Sequence, residues 1–213
     1  MRLLAIILSM LFLLSVNFPA LTKTNPSLPY GEWNYVFIYP NVLFSQITYV
    51  RFLDTNGYLN ENPLPDLTTS DKNSLSVWRK DIYRNFAIAN KGSLPPQWIQ
   101  FCWDSLVDKK IYQTTIEFPP KVWTMMRKEI PTQSGPFYHD NMIFGLAPGG
   151  KVRVWFNSPG EQGGENIQIA EATSVSGKDL TLCQGKMAFR DGYPDSAKIK
   201  AFIKGKAYPY GDW

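Results

Sequence analysis

The sequence predicts a mainly β protein of the α+β class, an antiparallel β-sandwich-like single domain with two short peripheral helices. Three observations carry this. Short runs of aromatic and β-branched residues alternate with period 2 along the chain. Hairpin-length turns separate them, without the strand–helix–strand rhythm of a parallel sheet. The 213 residues are 44% hydrophobic and 15% aromatic, enough apolar material for one sizeable core, and no composition shift marks a second.

At the start, Arg2 precedes an apolar run from Leu3 to Leu14, followed by Pro19 and the small residue Ala20. That pattern reads as a secretory signal over residues 1–20. A membrane span needs roughly 20 apolar residues, and this run stops short of it. Phe18 fits poorly three positions before a cut after Ala20, so an uncleaved anchor is the alternative. No cysteine closes the run to accept a lipid. The expected location is the periplasm, with residues 21–213 as the domain.

Within that domain, WNYVFIYP (33–40) and SQITYVRFLD (45–54) read as strands. In the second, Ile47, Tyr49 and Leu53 alternate with Val50 and Phe52, so both faces are apolar and the strand is expected to be central. Asp54 to Gly57 supplies a turn. Residues 60–76, rich in acids, prolines, hydroxyls and amides, are expected as a surface loop. Trp78, Ile82, Tyr83 and Phe86 fit either a short helix or an irregular cover.

QWIQFCW and KIYQTTIEF, joined through Asp108 and Lys109, predict a hairpin. PPKVWTMMRKEI opens with proline and repeats Val122, Met125, Met126 and Ile130 at helical spacing, predicting a short amphipathic helix. NMIFGLA, KVRVWF and ENIQIAEATSV are strand-like. Asp195 or Ser196 then starts a second helix with Ile199, Phe202 and Ile203 on one face and Gly205 past its end.

One stretch, GLAPGGKVRVWF (145–156), tests a different fold. Gly145, Gly150 and Lys151 match all but the hydroxyl of the phosphate-binding pattern G-x-x-x-x-G-K-[ST], but Val152 stands at that position. Residues 151–156 alternate as a strand, whereas a phosphate loop needs a helix there. Pro148 and Gly149 suit the centre of a tight turn and Gly150 an extra bulged position, so Pro148, Gly149 and Gly150 are expected to join two antiparallel strands.

Chemistry-bearing residues are sparse. The single histidine, His139, reads as a histidine at a strand start, with no distant nucleophile to complete a triad. One histidine and two separated cysteines give no metal-ligand spacing, and no cofactor is implied. Glu161 and Glu165 are expected to solvate a hairpin tip. Cys102 and Cys183 either form one bridge, which by loop entropy contributes roughly 4 kcal/mol, or stay as isolated buried thiols. A net charge of +4 is too mild for a nucleic-acid binder. The lysines of the last third, among them Lys178, Lys186, Lys198 and Lys204, read as a wet face, with an anionic membrane surface or acidic partner as the functional alternative.

Seven Trp, eleven Tyr and thirteen Phe make the chain ring-rich, and most rings are expected to fill the core. Trp33, Trp98, Trp155, Tyr208, Tyr210 and Trp213 are the candidates for an exposed binding surface.

Three stretches together, PPQWIQFCWDSLVDKKIYQTTIEFPPKVWTMM, DNMIFGLAPGGKVRVWF and IKGKAYPYGDW, resemble the bacterial envelope proteins grouped as domain of unknown function 2931. That family carries no established activity and no catalytic residues to transfer, so the resemblance implies architecture and an envelope location. Relatives neighbour secreted antibacterial lipase effectors, which implies an immunity role. The expectation is therefore an exported, non-enzymatic protein that binds a secreted effector and occludes its active site. An envelope-maintenance or lipid-contacting protein and an envelope hydrolase are the alternatives.

Overall fold

The computed structural model describes residues 27–63, 68–82, 90–158 and 164–213. The expected signal at 1–20, Tyr83, Phe86 and Glu161 lie outside the described residues. In chain order the elements are β1 Trp33–Pro40, β2 Ser45–Asp54, β3 Leu59–Asn62, β4 Thr68–Asp71, β5 Lys91–Gly92, β6 Pro96–Ser105, β7 Lys110–Glu117, α1 Pro120–Arg127, β8 Ile130–Thr132, β9 Gly135–Phe137, β10 Asn141–Ala147, β11 Lys151–Phe156, β12 Ile167–Thr173, β13 Val175–Ser176 and α2 Ala197–Ile203. One sheet runs β12-β11-β10-β1-β4 with β5 also paired to β1, a second runs β13-β7-β6-β2-β3, and β8 and β9 form a two-stranded ribbon.

Period-2 alternation turns one side of each sheet inward. Trp33, Tyr35 and Phe37 of β1, with Phe144 of β10 and Phe156 of β11, meet Val50 and Phe52 of β2 and Ile99, Phe101 and Trp103 of β6 in one shared core. Phe37, Phe101 and Phe144 form a mutual ring triangle with centroids 5.0, 5.2 and 5.8 Å apart, in the tilted and edge-on geometries that aromatic quadrupoles favour. The result is a single sandwich-like β domain. Its first sheet is also covered on the outside, where Val36, Ile38, Ile143 and Trp155 pack under Leu43, Trp78, Ile82 and Trp213.

Both helices form where capping chemistry places them. Pro120 opens α1, which turns Val122 and Met126 into the core. The Ser196 hydroxyl accepts the Ile199 N–H at 3.3 Å and starts α2. No helix of the described residues is long and apolar enough to cross a membrane.

Three expectations are corrected. The polar stretch 60–76 is not a plain surface loop, because it holds β3 and β4, and β4 runs parallel to β1. Its hydroxyls make burial affordable: Thr68 donates to the Ser45 carbonyl at 2.6 Å, and the buried Ser74 donates to Asp71. Second, Ile47 and Tyr49 do not share a face. The β2–β6 register shifts between them, leaving Ile47 in the shared core and Tyr49 on the outer face, a bulge at Thr48 whose hydroxyl engages the carbonyls of Cys102 and Lys186. Third, β1 pairs in parallel with both β10 and β4 inside an otherwise antiparallel pairing scheme. The chain returns to β1 by way of the other sheet, so no crossover helix is needed.

Candidate binding surface

Pro148–Gly150 joins β10 to β11 with Ala147 paired to Lys151. Gly149 (φ 77°, ψ 15°) and Gly150 (φ 71°) both take the left-handed backbone. A Cβ on Gly150 would stand 2.8 Å from the Tyr112 ring, so the corner is also tightly packed. It is held from the other sheet: Asp108 accepts the Gly149 N–H at 3.0 Å, the Tyr112 hydroxyl at 3.1 Å and the Ser105 hydroxyl at 2.9 Å. Burial, reinforced by the Asp108 carboxylate, holds the Tyr112 phenol well above its usual pKa.

His139 is 4% exposed. Its ring stacks on Phe156 with centroids 4.9 Å apart and meets the edge of Phe137 at 5.7 Å. Nδ1 lies 3.2 Å from the Asn157 carbonyl, an acceptor only, so Nδ1 carries the proton and donates. Burial lowers the imidazole pKa against the partial opposition of that hydrogen bond. Among the described residues His139 forms no hydrogen bond with a hydroxyl or thiol. No group of three or more His, Cys, Asp or Glu side chains among them gathers as metal ligands.

Cys102 and Cys183 are bonded, which decides between the two readings of the thiols. The bridge pins the segment after β13 onto the outer face of the second sheet, where Gln113 accepts the N–H groups of Thr181 and Cys183, both at 3.1 Å. Asp104, fully buried, accepts the Ala188 N–H at 2.6 Å. Desolvation pushes the Asp104 carboxyl above the usual carboxylate range, partly offset by these backbone donors.

That segment covers only half of the outer face. The open half carries two cross-strand rows. In the polar row Thr115, Gln100, Arg51 and Glu61 stand side by side on β7, β6, β2 and β3. Arg51 donates twice to Gln100 (2.7 and 3.0 Å), Gln100 donates to Thr115 at 2.9 Å, and Tyr49 donates to Glu61 at 2.6 Å. Its members therefore satisfy one another and hold a fixed platform.

The second row is Glu117, Trp98, Leu53 and Leu59. Trp98 is half-buried, and the Arg51 guanidinium lies 5.7 Å from its ring centroid. Trp123 projects from α1 beside it, its indole N–H fixed on the Pro96 carbonyl at 2.7 Å. Between them lies a groove of about 420 Å³ lined by Gln97, Trp98, Glu117, Phe118, Pro119 and Trp123. Gln97 is anchored by donating to the Asp54 carbonyl at 2.6 Å. Chemically this is an aromatic cleft with an exposed carboxylate on its rim.

The six candidate aromatics do not form one surface. Trp33, Trp155 and Trp213 are 0%, 6% and 8% exposed and belong to the interior, which corrects their reading as exposed anchors. The Trp33 indole N–H donates to the Leu94 carbonyl at 2.7 Å. Trp155 and Trp213 sandwich Trp78 edge-on at 5.4 and 5.5 Å, because the C-terminal segment roofs a sheet face that alternation alone would leave wet. Tyr208, 56% exposed, and the half-buried Tyr210 pair with each other at 5.4 Å near the Asp108 corner, at the far end of β6 from Trp98. Trp98 alone of the six lines the groove. Its partners Trp123 and Glu117 are not singled out by the sequence pattern, although a tryptophan flanking the buried Val122–Met126 stripe of a short helix is the available signal.

In the lysine-rich last third Lys200 meets Asp195 at 2.9 Å, and the ammonium groups of Lys186 and Lys206 lie over the Tyr49 and Phe202 rings. Glu165 pairs with Lys80 at 3.1 Å on the surface.

No curated protein and no solved structure matches the chain. One family model does match, over residues 20–211, and it spans every strand and both helices described above. The chain therefore belongs to the family described as protein of unknown function, DUF2931.

Proposed function

We propose that this protein is an exported binding protein that acts without turnover, and that its partner is a secreted, lipase-type antibacterial effector whose active site it occludes. The observation that carries the reading is the open half of the second sheet. Partly buried tryptophans beside a hydrogen-bonded polar platform are the composition of an interface hot spot, and a platform ordered in advance loses little entropy on binding. The Cys102–Cys183 bridge supports export, since such bonds persist in oxidising compartments.

The test is to direct the chain and a lipase-type effector, sought among the products of the neighbouring genes, to the same periplasm, then measure survival and co-purification. Protection together with a stable complex is the expected result, and loss of both Trp98 and Trp123 to alanine weakens the complex about 100-fold. No complex and no protection overturns the proposal.

A lipid-contacting role has one observation in its favour. Tyr58 and Leu59 are adjacent on the β2–β3 hairpin and 71% and 49% exposed. Co-flotation of the protein with anionic vesicles, abolished by Tyr58→Ser and Leu59→Ser, distinguishes this reading from the first.

A further inference from the structure

We infer that the groove between Trp98 and Trp123 receives a basic side chain, lysine or arginine, presented by the protein partner. The inference rests on the reading of this face as a protein-binding surface and names the chemistry of its occupant. Three observations bear on it.

First, Glu117 is exposed directly beside Trp98 in the ladder, and its carboxylate makes no ion pair or hydrogen bond among the described residues. Cations on β2 and α1 form no pair with it: Arg127, one turn on from Trp123, donates to the Trp123 carbonyl at 3.3 Å. Arg51 gives its guanidinium to Gln100 and lies 4.0 Å from Glu61. Lys121, exposed on the first turn of α1, forms no ion pair with it.

Second, the groove walls are indoles, the aromatic faces that attract cations most strongly. The site already shows this preference, since the Arg51 guanidinium sits over the Trp98 ring from the β2 side. The groove lies on the opposite flank, toward β7 and α1, and no cation is among the residues that line it. A lysine or arginine entering there places its methylenes on Phe118 and Pro119 and its charge by Glu117.

Third, the groove is shaped for a side chain. A volume of about 420 Å³ between a strand and a helix accommodates one long residue and its flanking backbone, and the Trp123 indole is held in place. The Trp123 N–H is spent on the Pro96 carbonyl, and Trp98 stands between Leu53 and Glu117 in the ladder. A neutral glycan also stacks on indoles, but it leaves the Glu117 charge uncompensated.

The experiment titrates the full chain with N-acetyl-Gly-Arg-Gly-amide while the indole N–H resonances of Trp98 and Trp123 are followed by NMR. The citrulline counterpart, equal in shape and uncharged, and chitotetraose are titrated in parallel. A saturable shift of both indoles by the arginine peptide is expected, weakened about tenfold by citrulline and by Glu117→Gln. Equal binding of the citrulline peptide, saturation by chitotetraose alone, or no saturable shift with any of the three overturns the inference. The effector complex is measured alongside. A complex unaffected by Glu117→Gln overturns the basic-side-chain assignment and leaves the binding reading standing. An arginine-specific titration without any effector complex overturns the effector reading instead and supports the assignment.

Discussion

The carboxylate of Asp108 accepts the backbone N–H of Gly149 at 3.0 Å, and so ties the β6–β7 hairpin of one sheet to the β10–β11 hairpin of the other. The same oxygen accepts from Tyr112 and Ser105, so three donors depend on one atom. Asp108→Ala removes the acceptor those donors share in a partly buried corner and is expected to cost about 2 kcal/mol. Urea unfolding measures this. An unchanged midpoint refutes the role given to the carboxylate.

The Cys102–Cys183 bridge closes a loop with a sequence separation of 81. Loop entropy assigns it about 4.5 kcal/mol. Replacing both cysteines by serine, or reducing the native protein, is expected to lower the melting temperature and to loosen the segment that Gln113 and Asp104 hold on the second sheet. Hydrogen exchange at Ala188 and Phe189, whose N–H groups point at Asp104, reports that loosening residue by residue.

Two tryptophans separate core from surface. Trp33 is fully buried with its indole N–H bonded, and Trp33→Ala is expected to cost about 3–5 kcal/mol. Trp98→Ala, at a half-buried site, is expected to cost about 1 kcal/mol while removing most of the partner affinity. Chemical denaturation and binding measured on the same two variants check the contrast.

His139 makes the fold acid-sensitive. Burial holds its pKa below the usual 6.5, so the unfolded chain takes up the proton first as pH falls. The stability this contributes is complete above pH 6.5 and is lost as pH drops through the folded value. Asp140, the next residue, works in the opposite sense: burial raises its carboxyl above 3.8, and stability declines as pH climbs through the window above that value. His139→Phe removes the first dependence alone. The variant's melting temperature is expected to be flatter than the native protein's just below pH 6.5, measured by calorimetry across that range.

The long strands, the helix opened by proline and the Pro148–Gly150 corner were legible because each is written locally, as alternation, helical spacing or turn chemistry; the spacing carried that helix to Ile130, but α1 ends at Arg127 and Ile130 begins β8. β4 was not, since Thr68–Asp71 reads as loop composition until Ser45 and Ser74 satisfy its polar groups. The bulge at Thr48 inverts the parity that alternation predicts between Ile47 and Tyr49. Of the candidate site only Trp98 was visible. Trp123 and Glu117 belong to other elements, and nothing in their local sequence says that they share a groove with it.

By itself the sequence determined the class of fold, the hairpins, the helix starts and the richness in rings, because these depend on spacing and composition within a few residues. Only the tertiary structure decided which rings stay wet. Exposure depends on what lies above a face, and the last residues of the chain roof Trp155 while the face bearing Trp98 is left half open. The pairing of Cys102 with Cys183 and the meeting of Asp108 with Gly149 were settled at the same level, by contacts between segments far apart in the chain.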